Sequence, residues 1–127
     1  MRAVDTNVLV RLVVRDDSRQ VALAESFVSK GAWVSVLVLA ETVWVLDAVY
    51  GLSKAQIVKA IEMLLCHKEL TVQDADVVES ALHSFRKRSK VGFSDCLVLE
   101  IARTAGHEPL GTFDRALSAL NGAERLG

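Results

Sequence analysis

The sequence predicts an α/β fold: a short-stranded, mainly parallel central sheet flanked by helices in three layers. Two observations predict it. Strand-like runs of a few residues alternate with longer helical stretches, which implies a parallel sheet covered on both faces. The chain, at 127 residues and 51% hydrophobic, suits a single domain (1–127) with a genuine core.

The elements follow in order. Ala3 and Val4 begin a strand that ends at Asp5. Apolar residues from Val8 to Val14 fit a helix or a continued strand, and periodicity does not choose between them. Asp17 is placed to cap a helix running to about Ser29, stopped by Gly31. Trp33 to Ser35 form a second strand. Val36 to Tyr50 are apolar almost all round, which predicts a central helix ending at Gly51. Ser53 and Gln56 have the spacing of a capping box, ahead of an apolar stripe of Ile57, Val58, Ile61, Leu64 and Leu65. Leu70 to Val72 are a third strand. Asp74 is read as the cap of a helix to about Arg88, and Ser94 as the cap of one from Asp95 to Ala105, closed by Gly106. Pro109 to Thr112 form a fourth strand, Asp114 to Leu120 a last helix, and Ala123 to Leu126 an edge strand.

Bulk properties exclude several classes. Fifteen basic residues against sixteen acidic ones leave a net charge of −1, so this is not a strongly basic nucleic-acid binder, although a local basic patch is compatible. Cys66 and Cys96 form no paired motif and read as reduced thiols of a cytoplasmic protein. Asp5 interrupts the N-terminal apolar run too early for a signal peptide. The most apolar window, AWVSVLVLAETVWVLDAVY, contains Glu41 and Asp47, each costing about 3 kcal/mol near a bilayer centre. No membrane span is expected.

The carboxylates raise the functional question. Asp5 stands between two apolar stretches, where an isolated buried charge is costly unless it is paired or binds a metal. Asp95 lies at a helix start in GFSDCL, Asp114 after the fourth strand in GTFDR, and Glu41 within the apolar helix in VLAETVWVL. Ligands of open parallel sheets gather at the carboxyl ends of strands, so these four acids are expected at one edge. Crowded carboxylates repel, and a hard divalent cation relieves that; Mg²⁺ or Mn²⁺ suits all-oxygen donors. Three of the acids also have a plainer reading, Asp95 and Asp114 as charges at helix N-termini and Asp5 as a turn residue, whereas an unpaired carboxylate in an apolar helix, Glu41, is uncommon. Thr6, Asn7, Ser94 and Thr112 read either as caps or as groups that orient the acids from behind.

The run VDTNVLVRL, the Glu41 helix, FSDCLVLEIA and LGTFDRAL together resemble a PIN domain over nearly the whole chain. The short chain and the wording of the motifs resemble the VapC toxins of bacterial and archaeal toxin–antitoxin pairs. The resemblance implies a metal-dependent endoribonuclease with Asp5, Glu41, Asp95 and Asp114 as its acidic set. Asp5 and Asp95 are expected as the main metal ligands, with Mg²⁺ or Mn²⁺ as cofactor. It also implies a VapB-like antitoxin partner and a homodimer face. Cys96 departs from the Ala common at that position and should face the core.

Other chemistries fit less well. A haloacid-dehalogenase-type phosphatase needs an Asp where Asn7 stands. A receiver domain needs paired acids nearer the first strand than Asp16 and Asp17. His67, His83 and His107 show no ligand spacing, and no glycine-rich phosphate loop is present. A catalytically silent PIN fold used as a protein- or RNA-binding module remains the alternative from a different class. Arg86, Lys87, Arg88 and Lys90, in SFRKRSKVGFSD, read as a phosphate-binding rim for RNA or as cations favoured at a helix C-terminus. Arg11 and Arg15 are expected to extend that rim.

Overall fold

The computed structural model describes residues 1–88 and 90–127; Ser89, in the basic segment, lies outside the described residues. The chain divides into two compact units, Met1–Ala75 and Asp76–Gly127, each with its own parallel strand ladder.

In the N-terminal unit, β1 (Arg2–Ala3), β2 (Ala32–Val34) and β3 (Leu70–Val72) form a parallel sheet in the order β1-β2-β3. Each crossover carries two helices: α1 (Thr6–Val14) and α2 (Ser18–Val28) in the first, α3 (Val36–Ala48) and α4 (Lys54–Cys66) in the second. Caps fix most helix starts. Asp17 accepts the backbone N–H of Gln20 at 3.0 Å, and Ser35 accepts that of Val38 at 3.0 Å. Ser53 and Gln56 form the complete capping box expected of them. Such caps are worth about 1 kcal/mol each. The open reading of Val8–Val14 resolves as helix, because Asp5 caps it and Leu9, Val10 and Leu12 fall on its buried face. Arg15 ends that helix in the left-handed region (φ 57°), its N–H returned to the Arg11 carbonyl.

One expectation is corrected here. α3 is not central. Leu39, Thr42, Val43 and Leu46 are buried, but Leu37 and Trp44 are 68% and 65% exposed, and Glu41 is exposed between them. A sequence apolar on all sides carries no stripe to say which face turns inward. Burial alternates along β2 and β3. Ala32, Val34, Leu70 and Val72 are buried, while the row Ala3, Trp33 and Thr71 in register across the strands is exposed.

The C-terminal unit contains α5 (Ala75–Lys87), α6 (Phe93–Thr104), β4 (Leu110–Thr112), α7 (Arg115–Ser118) and β5 (Ala123–Arg125). β4 and β5 pair in parallel across the short α7 crossover, with Thr112 opposite Arg125. α6 begins one residue before Ser94: Gly92 is its N-cap and makes no side-chain cap bond, so Ser94 lies in the first turn. The start is set by packing, since Phe93 and Leu97, one turn apart, are both buried and Phe93 meets Phe85 edge-on at 5.9 Å. Such aromatic pairs contribute about 1 kcal/mol beyond area burial. Asp74 also departs from its expected role: its φ of 47° is left-handed, not the extended backbone of a capping residue. Cys96 faces the core as expected. Gly122 is favoured as glycine because its φ of 95° is a backbone conformation that side chains with a Cβ rarely adopt.

Candidate active site

Asp5 is exposed, not buried, and its carboxylate accepts the N–H of Val8 at 3.3 Å as the N-cap of α1. The helix dipole favours a negative charge there, so capping alone accounts for a carboxylate at this place. Its neighbour Thr6 reaches across to α3: Oγ1 donates to Glu41 Oε2 at 3.1 Å. The structure therefore joins Glu41, thirty-five residues away in sequence, to the residue beside Asp5 and holds one of its oxygens in a fixed direction. Asn7 is exposed and lines an open, mostly apolar cavity of about 310 Å³ with Leu23, Ala24 and Phe27 of α2.

Asp95 and Asp114 come together in the C-terminal unit. Asp95 sits in the first turn of α6, partly buried. Asp114 caps α7, accepting the Leu117 N–H at 2.8 Å, while its own N–H donates to Thr112 Oγ1 at 3.0 Å. These two bonds fix the backbone that carries Asp114. The Asp95 carboxyl is raised above its ordinary value of 3.8, first by burial and then by repulsion from the Asp114 carboxylate. Ser94 is exposed beside it.

The sign of that shift makes a prediction. Asp95 holds its proton more tightly in the folded than in the unfolded chain. Its contribution to stability is therefore fully present below about pH 3.8 and is lost as pH rises through the folded value. Asp95→Asn removes this titration, so the variant should be the more stable chain at pH 7, with the advantage fading as pH falls towards 4. Urea melts at the two pH values check it; equal differences at both would contradict it. In Asp114→Asn the Asp95 titration, followed by carboxyl NMR, should move down.

The donor chemistry fits a hard divalent cation. All donors are carboxylate and hydroxyl oxygens, and the Asp95–Asp114 repulsion is what a cation relieves. Among the described residues no group of three or more His, Cys, Asp or Glu side chains is arranged to hold a metal ion. Magnesium keeps several waters and needs only one or two carboxylates.

The basic residues divide. Arg86 and Lys87 occupy the last turn of α5, and Arg88 and Lys90 follow; all are exposed. Arg11, expected on a phosphate rim, is instead engaged inside the N-terminal unit. Its guanidinium donates to Asp16 at 2.6 Å and to the Tyr50 hydroxyl at 2.5 Å, with the side chain 19% exposed. This clamp ties the end of α1 to the residues after α3. Nothing in the spacing of Arg11 and Tyr50 signalled it. Arg15 pairs with Glu25 at 3.4 Å.

A family model of the PIN domain matches residues 2–123, a span that includes every acid named above. The chain belongs to the PIN domain family. PIN domains are generally nuclease modules, typically dependent on a divalent metal, and RNA binding is general among them. Comparison with curated proteins and with solved structures found no match. The α/β architecture, with seven helices and short parallel strands among the described residues, agrees with a PIN fold. No helix among the described residues is long and apolar enough to cross a membrane.

Proposed function

We propose that this PIN domain is an endoribonuclease dependent on Mg²⁺ or Mn²⁺, acting as the cytoplasmic toxin of a toxin–antitoxin pair. Asp5, Glu41, Asp95 and Asp114 are its acidic set, with Asp5 and Asp95 the residues that would hold the cation. The observation that carries this reading is the partly buried Asp95 carboxyl in the first turn of α6, raised first by burial and then by the Asp114 carboxylate near it. A carboxyl perturbed by desolvation together with a charged neighbour is a mark of chemistry or cation binding. A bound divalent cation supplies a water of lowered pKa and neutralises charge on the phosphoryl group. Thr6 orients Glu41, and Thr112 fixes the turn bearing Asp114.

The exposed apolar residues of α3 (Leu37, Trp44 and Val49, the last just past its end) and of α6 (Val98 and Ile101) support a homodimer and a VapB-like antitoxin as partners. Incubating total RNA with the protein in Mg²⁺, in Mn²⁺ and in EDTA tests the reading. Metal-dependent fragmentation is expected, whereas a catalytically silent binding module would leave the RNA intact in all three.

The basic run makes a separate prediction. Replacing Arg86, Lys87, Arg88 and Lys90 together with Gln should weaken RNA binding and flatten its salt dependence. For a single strand, the slope of log K against log salt falls by about 0.7 for each phosphate that is no longer neutralised. An unchanged slope would leave these cations as a charged helix end.

A further inference from the structure

We infer that Phe113 is a stacking platform for an unpaired nucleobase of the RNA, beside the Asp95–Asp114 pair. This rests on the ribonuclease reading and adds a recognition residue to it. Phe113 is 77% exposed, more than any other large hydrophobic residue except the N-terminal Met1. A single exposed apolar side chain is ordinary, and its placement is what distinguishes this one.

Phe113 lies between Thr112 and Asp114, in the turn from β4 to α7. The Asp114 N–H is held by the Thr112 hydroxyl, and the Asp114 carboxylate holds the Leu117 N–H, so the backbone on its C-terminal side is fixed. On the other side, β4 is anchored by its ladder to β5, and the Leu126 N–H donates to the Thr112 carbonyl at 2.9 Å. The ring is thus presented by a fixed backbone without being buried. A rigid aromatic loses little conformational freedom when a base covers it.

The surroundings suit a nucleotide. Asp114, a candidate for the chemistry, is the next residue in the chain. Arg115 follows it, and Arg125 stands opposite Thr112 across the β4–β5 ladder; both are exposed. A phosphate beside the acids and their cation, with its base on the ring, matches the way single-stranded RNA is held, by stacking bases on aromatic faces while cations track the backbone. Bases paired within a duplex have no free face to offer, so the substrate contacting Phe113 is a loop, an end or a single strand.

The test uses the full chain and a randomised single-stranded RNA 30-mer in Mg²⁺, with the same pool annealed to its complement for comparison. Phe113→Ala should raise KM about tenfold or more with kcat nearly kept. Phe113→Trp should restore KM, whereas Phe113→Leu, apolar but without a π face, should not. The duplex pool should be cut poorly by every form. All forms should share one melting midpoint, since the side chain is exposed. An unchanged KM in Phe113→Ala, or full rescue by Leu, overturns the stacking role while leaving the nuclease intact. Failure of the parent chain to cut any RNA in Mg²⁺ or Mn²⁺ overturns the ribonuclease reading, and the stacking role with it.

Discussion

Asp5→Asn, Glu41→Gln, Asp95→Asn and Asp114→Asn should each cut ribonuclease activity by about 100-fold or more, because even partners outside a metal's ligand set cost 10–100-fold when removed. Each substitution is nearly isosteric and removes only a charge. Asp5, Glu41 and Asp114 are exposed, so little packing is disturbed. Asn keeps an oxygen that can still accept the Val8 or Leu117 N–H, and both helices should therefore remain capped. The loss should fall on activity, not on the melting midpoint. Rates on total RNA, read beside a thermal melt of each variant, check this. Full activity in any two of the four would remove the assigned acidic set. Thr6→Val should cost less than Glu41→Gln, since it frees the Glu41 carboxylate without deleting it.

Addition of Mg²⁺ or Mn²⁺ should raise the melting midpoint. A cation that binds only the folded chain stabilises it by mass action, by about 2.7 kcal/mol at 100 times its dissociation constant. For a chain of this size that corresponds to roughly 10 °C. The same cation relieves the Asp95–Asp114 repulsion, so the rise should be accompanied by a lower Asp95 titration. Asp5→Asn should lose most of the rise, and Asp95→Asn likewise. A midpoint that stays constant over a wide range of both metals would count against a cation at these residues.

Much of the fold was legible because local chemistry decided it. The Ser53–Gln56 capping box, the Asp17 cap and the Leu70–Val72 strand each depend on a short stretch whose signals agree. Misreadings came where tertiary packing overrode a local signal. A hydroxyl at Ser94 looks like a better cap than Gly92, but burying Phe93 moved the helix start forward. α3 offered no polar side to mark its outer face, so Leu37 and Trp44 could not be placed outside. The apolar runs on either side of Asp5 suggest a buried carboxylate, yet Asp5 is exposed, because β1 is two residues long and α1 starts immediately after the cap. The motifs themselves were legible through their order along the chain: DTN, the Glu41 helix, FSD and TFD all fall within the matched PIN domain. The pairing of Thr6 with Glu41 was not, since nothing in a sequence reports which hydroxyl faces which acid.

The ends of the cleaved RNA test most directly whether the acids serve hydrolysis by water. A ribonuclease built on paired histidines activates the RNA's own 2′-hydroxyl and leaves a 2′,3′-cyclic phosphate. Here His67 accepts the Glu69 N–H through Nδ1, and His83 and His107 are exposed without a histidine partner among the described residues. Under the proposed function, water attacking in line would expel the 3′-oxygen instead. Fragments produced in Mg²⁺ and analysed by mass spectrometry should carry a 5′-phosphate and a 3′-hydroxyl, and a substrate with a single 2′-deoxy sugar at the cleavage position should still be cut. A 2′,3′-cyclic phosphate as the primary product would contradict the mechanism assigned to Asp5, Glu41, Asp95 and Asp114.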